Sequence, residues 1–151
     1  MSKYYYHGSK FKIKGYLEPR PSPVINNEKA VFATNELWIS LISIPKFKDN
    51  AIDYGYIGGY AYILELEDGA FKLLEVPGYI YVVSKKGFKS DKRLGMPNSE
   101  FINKKKVKIQ KTIKIKNVLK ALKKLDTVTL ITSKKKDDLI YDYLKEKSER
   151  R

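Results

Sequence analysis

Short segments in which apolar and polar side chains alternate constrain the fold of this 151-residue chain most strongly. Residues 60–67 put Tyr60, Tyr62 and Leu64 on one face of an extended backbone and smaller or acidic residues on the other. Residues 101–115 interleave isoleucine and valine with lysine in the same period of two. This period is typical of strands with one buried face, so the sequence predicts more strand than helix.

Helical spacing is limited to three segments. Residues 36–44 follow a capping Thr34-Asn35 step and end at a proline, and residues 116–125 carry their large apolar side chains on one stripe. Residues 137–147 are acidic at their start and basic at their end, as the helix dipole favours. The remaining predicted strands cover residues 4–9, 30–33, 79–83 and 127–132, together with 71–76 as the hairpin partner of 60–67.

The segments between these elements are rich in turn residues. Residues 19–23 hold three prolines, which predict an irregular loop, and residues 49–59 and 85–99 are predicted loops with several glycines. Asn26-Asn27 predicts a turn. Because no linker or repeat interrupts the pattern, we predict one α+β domain over residues 1–151, long enough to bury a core.

The residue types that the chain lacks exclude several classes of site. With no cysteine and one histidine, it forms no disulfide and cannot assemble a zinc site of the usual nitrogen and sulfur ligands. No Gly-x-Ser-x-Gly motif supports a serine hydrolase. There is no run of about 18 apolar residues and no apolar leader, so we expect no membrane partner and a cytoplasmic location.

The formal net charge of +14 is concentrated in one segment. Residues 84–136 hold 18 of the 31 basic residues but only 3 of the 17 acidic ones, so they carry the whole excess. Such a field attracts polyanions, and we expect DNA or RNA to contact the run Lys104, Lys105 and Lys106. Lysines that merely keep the surface solvated are the alternative interpretation.

Three short motifs carry the candidate chemistry. Residues 4–9 (Tyr-Tyr-Tyr-His-Gly-Ser) lead a strand into the only histidine and into a glycine that allows a ligand to approach the backbone closely. Residues 31–34 (Val-Phe-Ala-Thr) run from a strand into the helix that carries the only tryptophan. Residues 98–102 (Asn-Ser-Glu-Phe-Ile) open a late strand with Glu100, whose ionised form we expect the surrounding lysines and Arg93 to favour.

The order of these motifs resembles the ADP-ribosyltransferase fold family, in the branch of the poly-ADP-ribose polymerases, diphtheria toxin and the rifampin-modifying transferases. In that branch a strand ends in His-Gly-Thr or His-Gly-Ser, a strand of the type Tyr-Phe-Ala runs into a helix, and a late strand begins with a catalytic Glu. The resemblance covers residues 4 to about 115 in short islands. It implies two small packed antiparallel sheets with a few short helices, and NAD bound in a cleft between the sheets.

The resemblance also implies roles for the motif residues. His7 would hydrogen-bond the adenosine ribose, and the backbone of Gly8, which Ser9 follows, would hold the nicotinamide amide. Glu100 would act catalytically by holding the 2′-OH of the nicotinamide ribose. Its carboxylate would favour the positive charge that develops on the sugar as the glycosidic bond breaks, as in glycosidases.

One position departs from the family pattern, because its stacking tyrosine is Val31 in this chain. Trp38, or a tyrosine within residues 54–60, would then supply the ring that stacks on the nicotinamide. Phe32, from the aromatic strand, and Arg20, which would meet a pyrophosphate bidentately, complete the predicted cofactor-binding set.

The expected activity is therefore NAD-dependent ADP-ribosyl transfer, or NAD hydrolysis, with a macromolecular acceptor such as a nucleic acid. Three alternatives stay open. One is an RNA 2′-phosphotransferase, which relies on an Arg-His-Arg-Arg set, whereas the arginines of this chain are residues 20, 93, 150 and 151. The second is a non-catalytic nucleic-acid-binding domain, and the third is a degenerate member that binds a nucleotide without reacting.

Overall fold

The computed structural model describes residues 3–48 and 50–133 of the chain. Their strands are β1 (Tyr4–Ser9), β2 (Tyr16–Leu17), β3 (Arg20–Pro21), β4 (Lys29–Thr34), β5 (Ile52–Ile57), β6 (Tyr60–Glu65), β7 (Gly78–Ser84), β8 (Glu100–Asn103), β9 (Val107–Ile115) and β10 (Val128–Ile131). Two α-helices, α1 (Leu37–Ile42) and α2 (Val118–Lys123), and two 3-10 helices, Pro23–Ile25 and Ala70–Leu74, complete the described elements. Strand exceeds helix, which confirms the predicted α+β class.

The chain divides into two compact units. The first unit joins Met1–Ile44 to Pro77–Lys116, and the second joins Pro45–Val76 to Asn117–Arg151. Each unit therefore combines two separate stretches of sequence, and each contains its own sheet. The interpretation of residues 1–151 as a single domain stays a prediction. The helix predicted over residues 137–147 lies outside the described residues.

The first unit contains a seven-stranded antiparallel sheet in the order β2-β9-β7-β1-β4-β3, with β8 also paired to β4. β1 pairs with β7 along its whole length but with β4 only where Tyr6 lies opposite Thr34. Thr34 in turn lies opposite Glu100 on β8. Tyr6, Thr34 and Glu100 thus form one row across three neighbouring strands, and β1 has no pairing with β4 beyond this row.

Two glycines let helix α1 and the residues that follow it pack closely on this sheet. A Cβ at Gly8 would lie 1.9 Å from the carbonyl oxygen of Ser40, and a Cβ at Gly78 on the neighbouring strand would lie 2.4 Å from Cγ2 of Ile44. A residue with any side chain would push the end of α1 away from the sheet. The glycine that follows His7 therefore has a packing role in addition to any role toward a ligand.

The core of the first unit is organised around β7. The ring of Tyr81 is completely buried in a cluster with Leu17, Val31, Ala33, Val83 and Val107. Its hydroxyl donates to the carbonyl oxygen of Phe11 (2.6 Å) and accepts from the N–H of Ile13 (2.6 Å), so the buried polar atom is satisfied. These two bonds hold the segment after β1 against β7.

The second unit contains a three-stranded sheet in the order β10-β6-β5. β5 and β6 form an antiparallel hairpin, whereas β10 runs parallel to β6, so the expectation of purely antiparallel sheets is wrong for this pair. Glu65 at the end of β6 is buried, and its two oxygens accept from the N–H groups of Phe71 (2.8 Å) and Ser133 (3.1 Å). Helix α2 is capped by the side chain of Asn117. α2 and β10 lie within the predicted helix (residues 116–125) and the predicted strand (residues 127–132).

Two segment predictions for the second unit are wrong. The strand predicted over residues 71–76 is the 3-10 helix Ala70–Leu74, and the partner of β6 is β5, inside a predicted loop. Gly58 and Gly59 join β5 to β6 with φ angles of 57° and 84°. Two consecutive residues with positive φ make the tight turn that suits the twist of a hairpin, so this Gly-Gly step is the signal that identifies β5.

The proline-rich segment is also more regular than predicted. Arg20–Pro21 pairs with β4 as a short edge strand, where the missing N–H of proline is tolerated. The side chain of Ser22 then caps the 3-10 helix Pro23–Ile25. Asn26 and Asn27 follow with φ angles of 56° and 61°, which confirms the predicted turn.

The alternating residues 101–115 form two strands, β8 and β9, which do not pair with each other. β8 lies on β4, while β9 lies between β7 and β2. The loop predicted over residues 85–99 precedes β8 and is held by backbone bonds of 2.9 Å in both directions between Lys89 and Ile102. No helix within the described ranges is long and apolar enough to cross a membrane.

Candidate functional site

A small pocket opens in the first unit beside the row of Tyr6, Thr34 and Glu100. Its volume is about 80 Å³, and β1, β4, α1 and the start of β8 contribute its walls. The lining residues are Tyr6, His7, Gly8, Phe32, Ala33, Thr34, Ile39, Ser40, Ser43 and Glu100. The three sequence motifs, which are far apart along the chain, thus meet at one pocket.

His7 is held in the pocket wall by a hydrogen bond to β4. Its Nδ1 lies 2.6 Å from the carbonyl oxygen of Phe32, and because a carbonyl oxygen only accepts, Nδ1 carries the proton. Burial lowers the pKa of His7 below its ordinary value of 6.5; the bond to Phe32 opposes this effect and the charge of Arg20 adds to it. The neutral ring therefore presents Nε2 as an acceptor for a ligand hydroxyl.

The loop before β8 orients the carboxylate of Glu100. Oε1 accepts from the N–H of Met96 (2.9 Å), while the N–H of Glu100 donates to the carbonyl oxygen of Met96 (2.8 Å). This reciprocal pair fixes the direction of the side chain in the same way as a capping box. Oε2 has no hydrogen-bond partner among the described residues, so one carboxylate oxygen remains for a ligand.

The electrostatic surroundings of Glu100 differ from the expectation. Burial raises the pKa of its carboxyl, and the bond from Met96 offsets part of this rise. The expected stabilisation of the ionised form by nearby cations is therefore wrong. Arg93 is paired with Asp91 (2.7 Å) and Glu28 (2.5 Å), and its charge is compensated there. A half-buried carboxylate without a protein cation gains most from a positive charge that a ligand supplies.

The side chain of Thr34 connects β4 to the residue before Glu100. Its hydroxyl donates to the carbonyl oxygen of Ser99 (2.7 Å) and accepts from the N–H of Glu36 (3.0 Å). The N–H of Asn35 donates to the same Ser99 carbonyl oxygen (3.2 Å). The junction between β4 and α1 therefore anchors the start of β8, which explains why these two motifs are found together.

The aromatic residues predicted to stack on a ligand lie in different environments. Phe32 is half-buried and lines the pocket, whereas Val31, at the family's tyrosine position, is buried in the core. Trp38 is completely buried and is not part of the pocket lining, so its ring offers no exposed face for stacking. The tyrosines of residues 54–60 belong to the second unit.

The other predicted cofactor-binding residues lie in or beside the pocket. Gly8 lines it, but Ser9 does not; the Ser9 hydroxyl instead accepts from the N–H of Phe11 (3.0 Å) and shapes the chain after β1. Arg20 is exposed and outside the lining, yet its charge acts on the imidazole of His7. An anionic group bound at His7 would therefore feel the field of Arg20.

Sequence reasoning does not identify Ser40, Ser43 and Tyr6 as pocket residues. The hydroxyls of Ser40 and Ser43 donate to the carbonyl oxygens of Leu37 (2.6 Å) and Ile39 (2.7 Å). Their spacing of three residues puts both on one face of the helix. Ser40 is the one polar residue among the buried residues of α1, and Ser43 follows at the C-cap; this pair is the signal that indicates the face.

Lys104, Lys105 and Lys106 lie in a different part of the first unit and do not line the pocket. Together with Lys86 and Lys89 they line a concave surface of about 700 Å³, which we call the basic groove. β8 connects the two places, since its first residue, Glu100, lines the pocket and its last residue, Asn103, lines the groove.

The second unit has a mainly apolar cavity of about 560 Å³. The carboxylate in its wall, Glu65, accepts from two backbone N–H groups and therefore has a structural role. Among the residues that the structure describes, no group of three or more histidines and carboxylates is arranged to hold a metal ion. The pocket at His7 and Glu100 is therefore the better candidate site.

Comparisons of the chain with protein-family models, with curated proteins and with solved structures give no match. The resemblance to the ADP-ribosyltransferase fold therefore depends on the three motifs, and its functional content is a proposal.

Proposed function

We propose that the pocket of the first unit binds NAD and cleaves its nicotinamide–ribose bond, with transfer of ADP-ribose to a macromolecular acceptor. Transfer to water would make the protein an NAD glycohydrolase. The observation that supports this most is the strand register, in which β4 pairs both with β1, which carries His7 and Gly8, and with β8, which begins with Glu100. Both ionisable residues line one pocket, where burial favours the neutral form of His7. The positive charge of the nicotinamide ring would favour the ionised form of Glu100.

Glu100 has the geometry for the chemical step. One of its oxygens is held by Met96, and the other would accept a hydrogen bond from the 2′-OH of the nicotinamide ribose. As the bond between the sugar C1′ and the nicotinamide nitrogen breaks, the nitrogen keeps the electron pair and positive charge develops on the sugar. A carboxylate in a partly dry site stabilises that charge more than it stabilises the ground state. The acceptor oxygen or nitrogen then bonds to C1′ and releases its proton.

His7, Gly8 and Phe32 would position the substrate. The neutral imidazole accepts from a ribose hydroxyl through Nε2, because Nδ1 is committed to the carbonyl oxygen of Phe32. The edge of β1 beyond Tyr6 is not paired with β4, so the backbone at Gly8 is at the pocket to bond a carboxamide. Of the aromatic residues Phe32 and Trp38 that the sequence suggested for cofactor binding, Phe32 lines the pocket.

The size of the pocket limits how much of the substrate it encloses. A volume of about 80 Å³ is well below the roughly 300–1,000 Å³ of small-molecule sites. The pocket therefore suits the reacting end of the substrate, and the adenosine end would extend over the exposed surface. Arg20, exposed and close enough to act on His7, would meet the phosphates there.

The alternative of an RNA 2′-phosphotransferase has less support. That activity relies on several arginines around the histidine, but Arg93 is engaged by Asp91 and Glu28, and Arg20 alone acts electrostatically on His7 among the described arginines. The alternative of a non-catalytic nucleic-acid-binding domain is supported by the basic groove. The catalytic and the non-catalytic hypotheses differ in whether the activity of the protein requires Glu100.

The decisive experiment measures nicotinamide released from NAD by the purified protein and by Glu100→Gln. We expect the substitution to lower the rate by about 100-fold or more, since it removes the charge that stabilises the transition state. Glu18→Gln is the matched control, because Glu18 is exposed and outside the pocket, and it should keep the wild-type rate. Absence of release by the wild type, together with no thermal shift on addition of NAD, would contradict the proposal.

Thermal unfolding of Glu100→Gln distinguishes a lower rate of nicotinamide release from a loss of folding. The pKa of Glu100 is raised in the folded state, so its contribution to stability is present below its ordinary value of 4.5 and is lost as pH rises through the raised value. Above pH 4.5 the raised pKa of Glu100 therefore lowers the stability of the fold relative to a neutral side chain at this position. The glutamine variant should therefore have a Tm at least as high as the wild type at pH 7.

A further inference from the structure

We propose that the basic groove binds the phosphate backbone of a single-stranded nucleic acid. Five lysine side chains converge on it, Lys86 and Lys89 from the loop after β7 and Lys104, Lys105 and Lys106 from the turn between β8 and β9. All five are exposed, and none except Lys104 forms an ion pair within the described residues. Four ammonium groups around one concave surface are therefore without an ion-pair partner among these residues, and that of Lys106 lies 4.6 Å from the centroid of the Tyr16 ring.

The carboxylate in the groove wall does not cancel this charge. Asp91 is bound by the guanidinium of Arg93 through both oxygens, at 2.9 Å to Nε and 2.7 Å to Nη2. That pairing holds the pKa of Asp91 well below its usual range. Arg93 and Asp91 neutralise each other, so the lysines determine the sign of the potential in the groove.

The backbone beneath the lysines is held in place. Lys89 and Ile102 exchange two backbone hydrogen bonds of 2.9 Å, which attach the loop after β7 to β8. The side chain of Asn103 accepts from the N–H of Lys105 (3.0 Å) and fits against Gly87, where an added Cβ would lie 2.8 Å from Nδ2. The lysines thus project from a backbone that these hydrogen bonds hold in place.

The shape and lining of the groove favour one extended strand over other polyanions. A groove with a volume of about 700 Å³ can accommodate the backbone of one nucleic-acid strand, whereas a duplex or a bilayer would contact only its rim. Peripheral membrane sites combine basic residues with exposed apolar side chains that enter the lipid. None of the large apolar side chains exposed on the described residues lines this groove.

The groove also suggests how an acceptor would reach the candidate active site, an extension that rests on the proposed function. β8 has Glu100 at one end and Asn103 at the other, a separation of about 10 Å at the usual rise of a strand. A nucleotide one or two positions from the bound phosphates would therefore come within reach of the pocket. Binding in the groove does not itself require NAD.

The test measures fluorescence anisotropy of a labelled oligo(dT), and of oligo(U) of the same length, at several salt concentrations. The variant is Lys86→Gln, Lys89→Gln and Lys105→Gln together, which leaves the Lys104 ion pair intact. We expect at least about a tenfold loss of affinity, and a slope of log affinity against log salt that is smaller by about 2, from three lost contacts of about 0.7 each.

The matched control removes three lysines that are equally exposed in the first unit but do not line the groove, as Lys12→Gln, Lys111→Gln and Lys114→Gln. Its net charge equals that of the groove variant, and we expect it to bind within about threefold of the wild type. Equal losses in both triple variants would overturn the proposal, because net charge alone would then explain binding. Thermal unfolding of both verifies that they are folded.

Two further arms separate this proposal from its alternatives. Tighter binding to an unlabelled duplex, or to vesicles containing phosphatidylserine, than to oligo(dT) would also overturn it. Glu100→Gln should bind oligo(dT) like the wild type, since the pocket and the groove are separate. If oligo(dT) binds in the groove but no nicotinamide is released, the proposed function fails while this inference stands.

Discussion

The pocket and the basic groove lie at the two ends of β8, and they are built in opposite ways. The pocket consists of half-buried side chains fixed by short hydrogen bonds, such as His7 to the carbonyl oxygen of Phe32 and Met96 to Glu100. The groove consists of exposed ammonium groups on flexible stems above a fixed backbone. The first arrangement suits orientation of a small reacting group, and the second suits contact with a repeating charge.

This difference shows that a single strand, β8, can connect a half-buried carboxylate at one end to an exposed group of lysines at the other. Glu100 forms no ion pair within the described residues, whereas Arg93 and Lys104 both pair with Glu28. The carboxylate of Glu100 is therefore influenced mainly by burial, and its pKa rises rather than falls. The lysines, in turn, keep most of their charge for a partner. Substitutions at each end should consequently affect different measurements.

The largest expected effect tests the rigidity of the pocket. Gly8→Ala places a Cβ only 1.9 Å from the carbonyl oxygen of Ser40, so α1 must move away from β1. We expect a loss of about 3 kcal/mol in the free energy of unfolding, at the upper end of overpacking costs, measured by urea denaturation.

Gly95→Ala is the control for this substitution. Gly95 lies in the same unit, and its nearest contact would be Oε1 of Glu100 at an ordinary 3.9 Å. It should change the free energy of unfolding by less than about 1 kcal/mol. If Gly8→Ala is as stable as Gly95→Ala, the close packing of α1 on β1 is wrong, and with it the geometry of the pocket.

An intermediate effect concerns the pH dependence of stability, which should depend on the pocket and not on the groove. The pKa of His7 is lowered in the fold, so its stabilising contribution is present above 6.5 and is lost as pH falls through the lowered value. We expect the Tm of the wild type to fall as the pH drops from about 7 to 5, and His7→Gln to reduce this fall.

The contribution of Glu100 to the pH dependence of Tm has the opposite sign to that of His7 in the same experiment. Its raised pKa removes stability as pH rises above 4.5, so Glu100→Gln should make the dependence on His7 steeper. Because the chain has a single histidine, the two variants separate both contributions. Identical profiles for wild type and His7→Gln would mean that His7 is not buried as the structure has it.

The smallest expected effect sharpens the description of the groove. Glu28 pairs with Arg93 and Lys104, which hold its pKa at about 2. Glu28→Gln would release the ammonium group of Lys104 into the groove while losing only exposed ion pairs, so the Tm should change little. We expect binding of oligo(dT) to tighten by about two- to threefold at low salt. Weaker binding would show that the ion pair positions Lys104 for its contact.

Much of the local structure is predictable from the sequence. The strands at residues 4–9, 79–83 and 101–115 and the helix at 116–125 follow from periods of 2 and 3.6. The errors arise where tertiary contacts or turn geometry outweigh composition. Residues 71–76 have the pattern of a strand, but Ala70–Leu74 is a 3-10 helix, in which the N–H of Phe71 donates to the buried Glu65. Residues 52–57 look like a loop because glycine and tyrosine alternate there.

The candidate site shows the same division. Its motif residues His7, Phe32 and Glu100 are recognisable in the sequence, and all three line the pocket. The predicted stacking role of Trp38 fails on burial, which depends on how α1 packs and not on residue type. Ser40 and Ser43 enter the pocket only because α1 packs closely on Gly8.

The amino-acid sequence alone establishes the positive field of residues 84–136, the absence of cysteine and the positions of most strands, because charge, composition and periodicity are local properties. The tertiary structure alone establishes that β4 lies between β1 and β8 and that Glu28 forms an ion pair with Arg93. Both facts depend on contacts between residues more than 60 positions apart, such as Thr34 with Glu100 and Arg93 with Glu28. Such pairings follow from the packing of the whole unit, which no local pattern encodes.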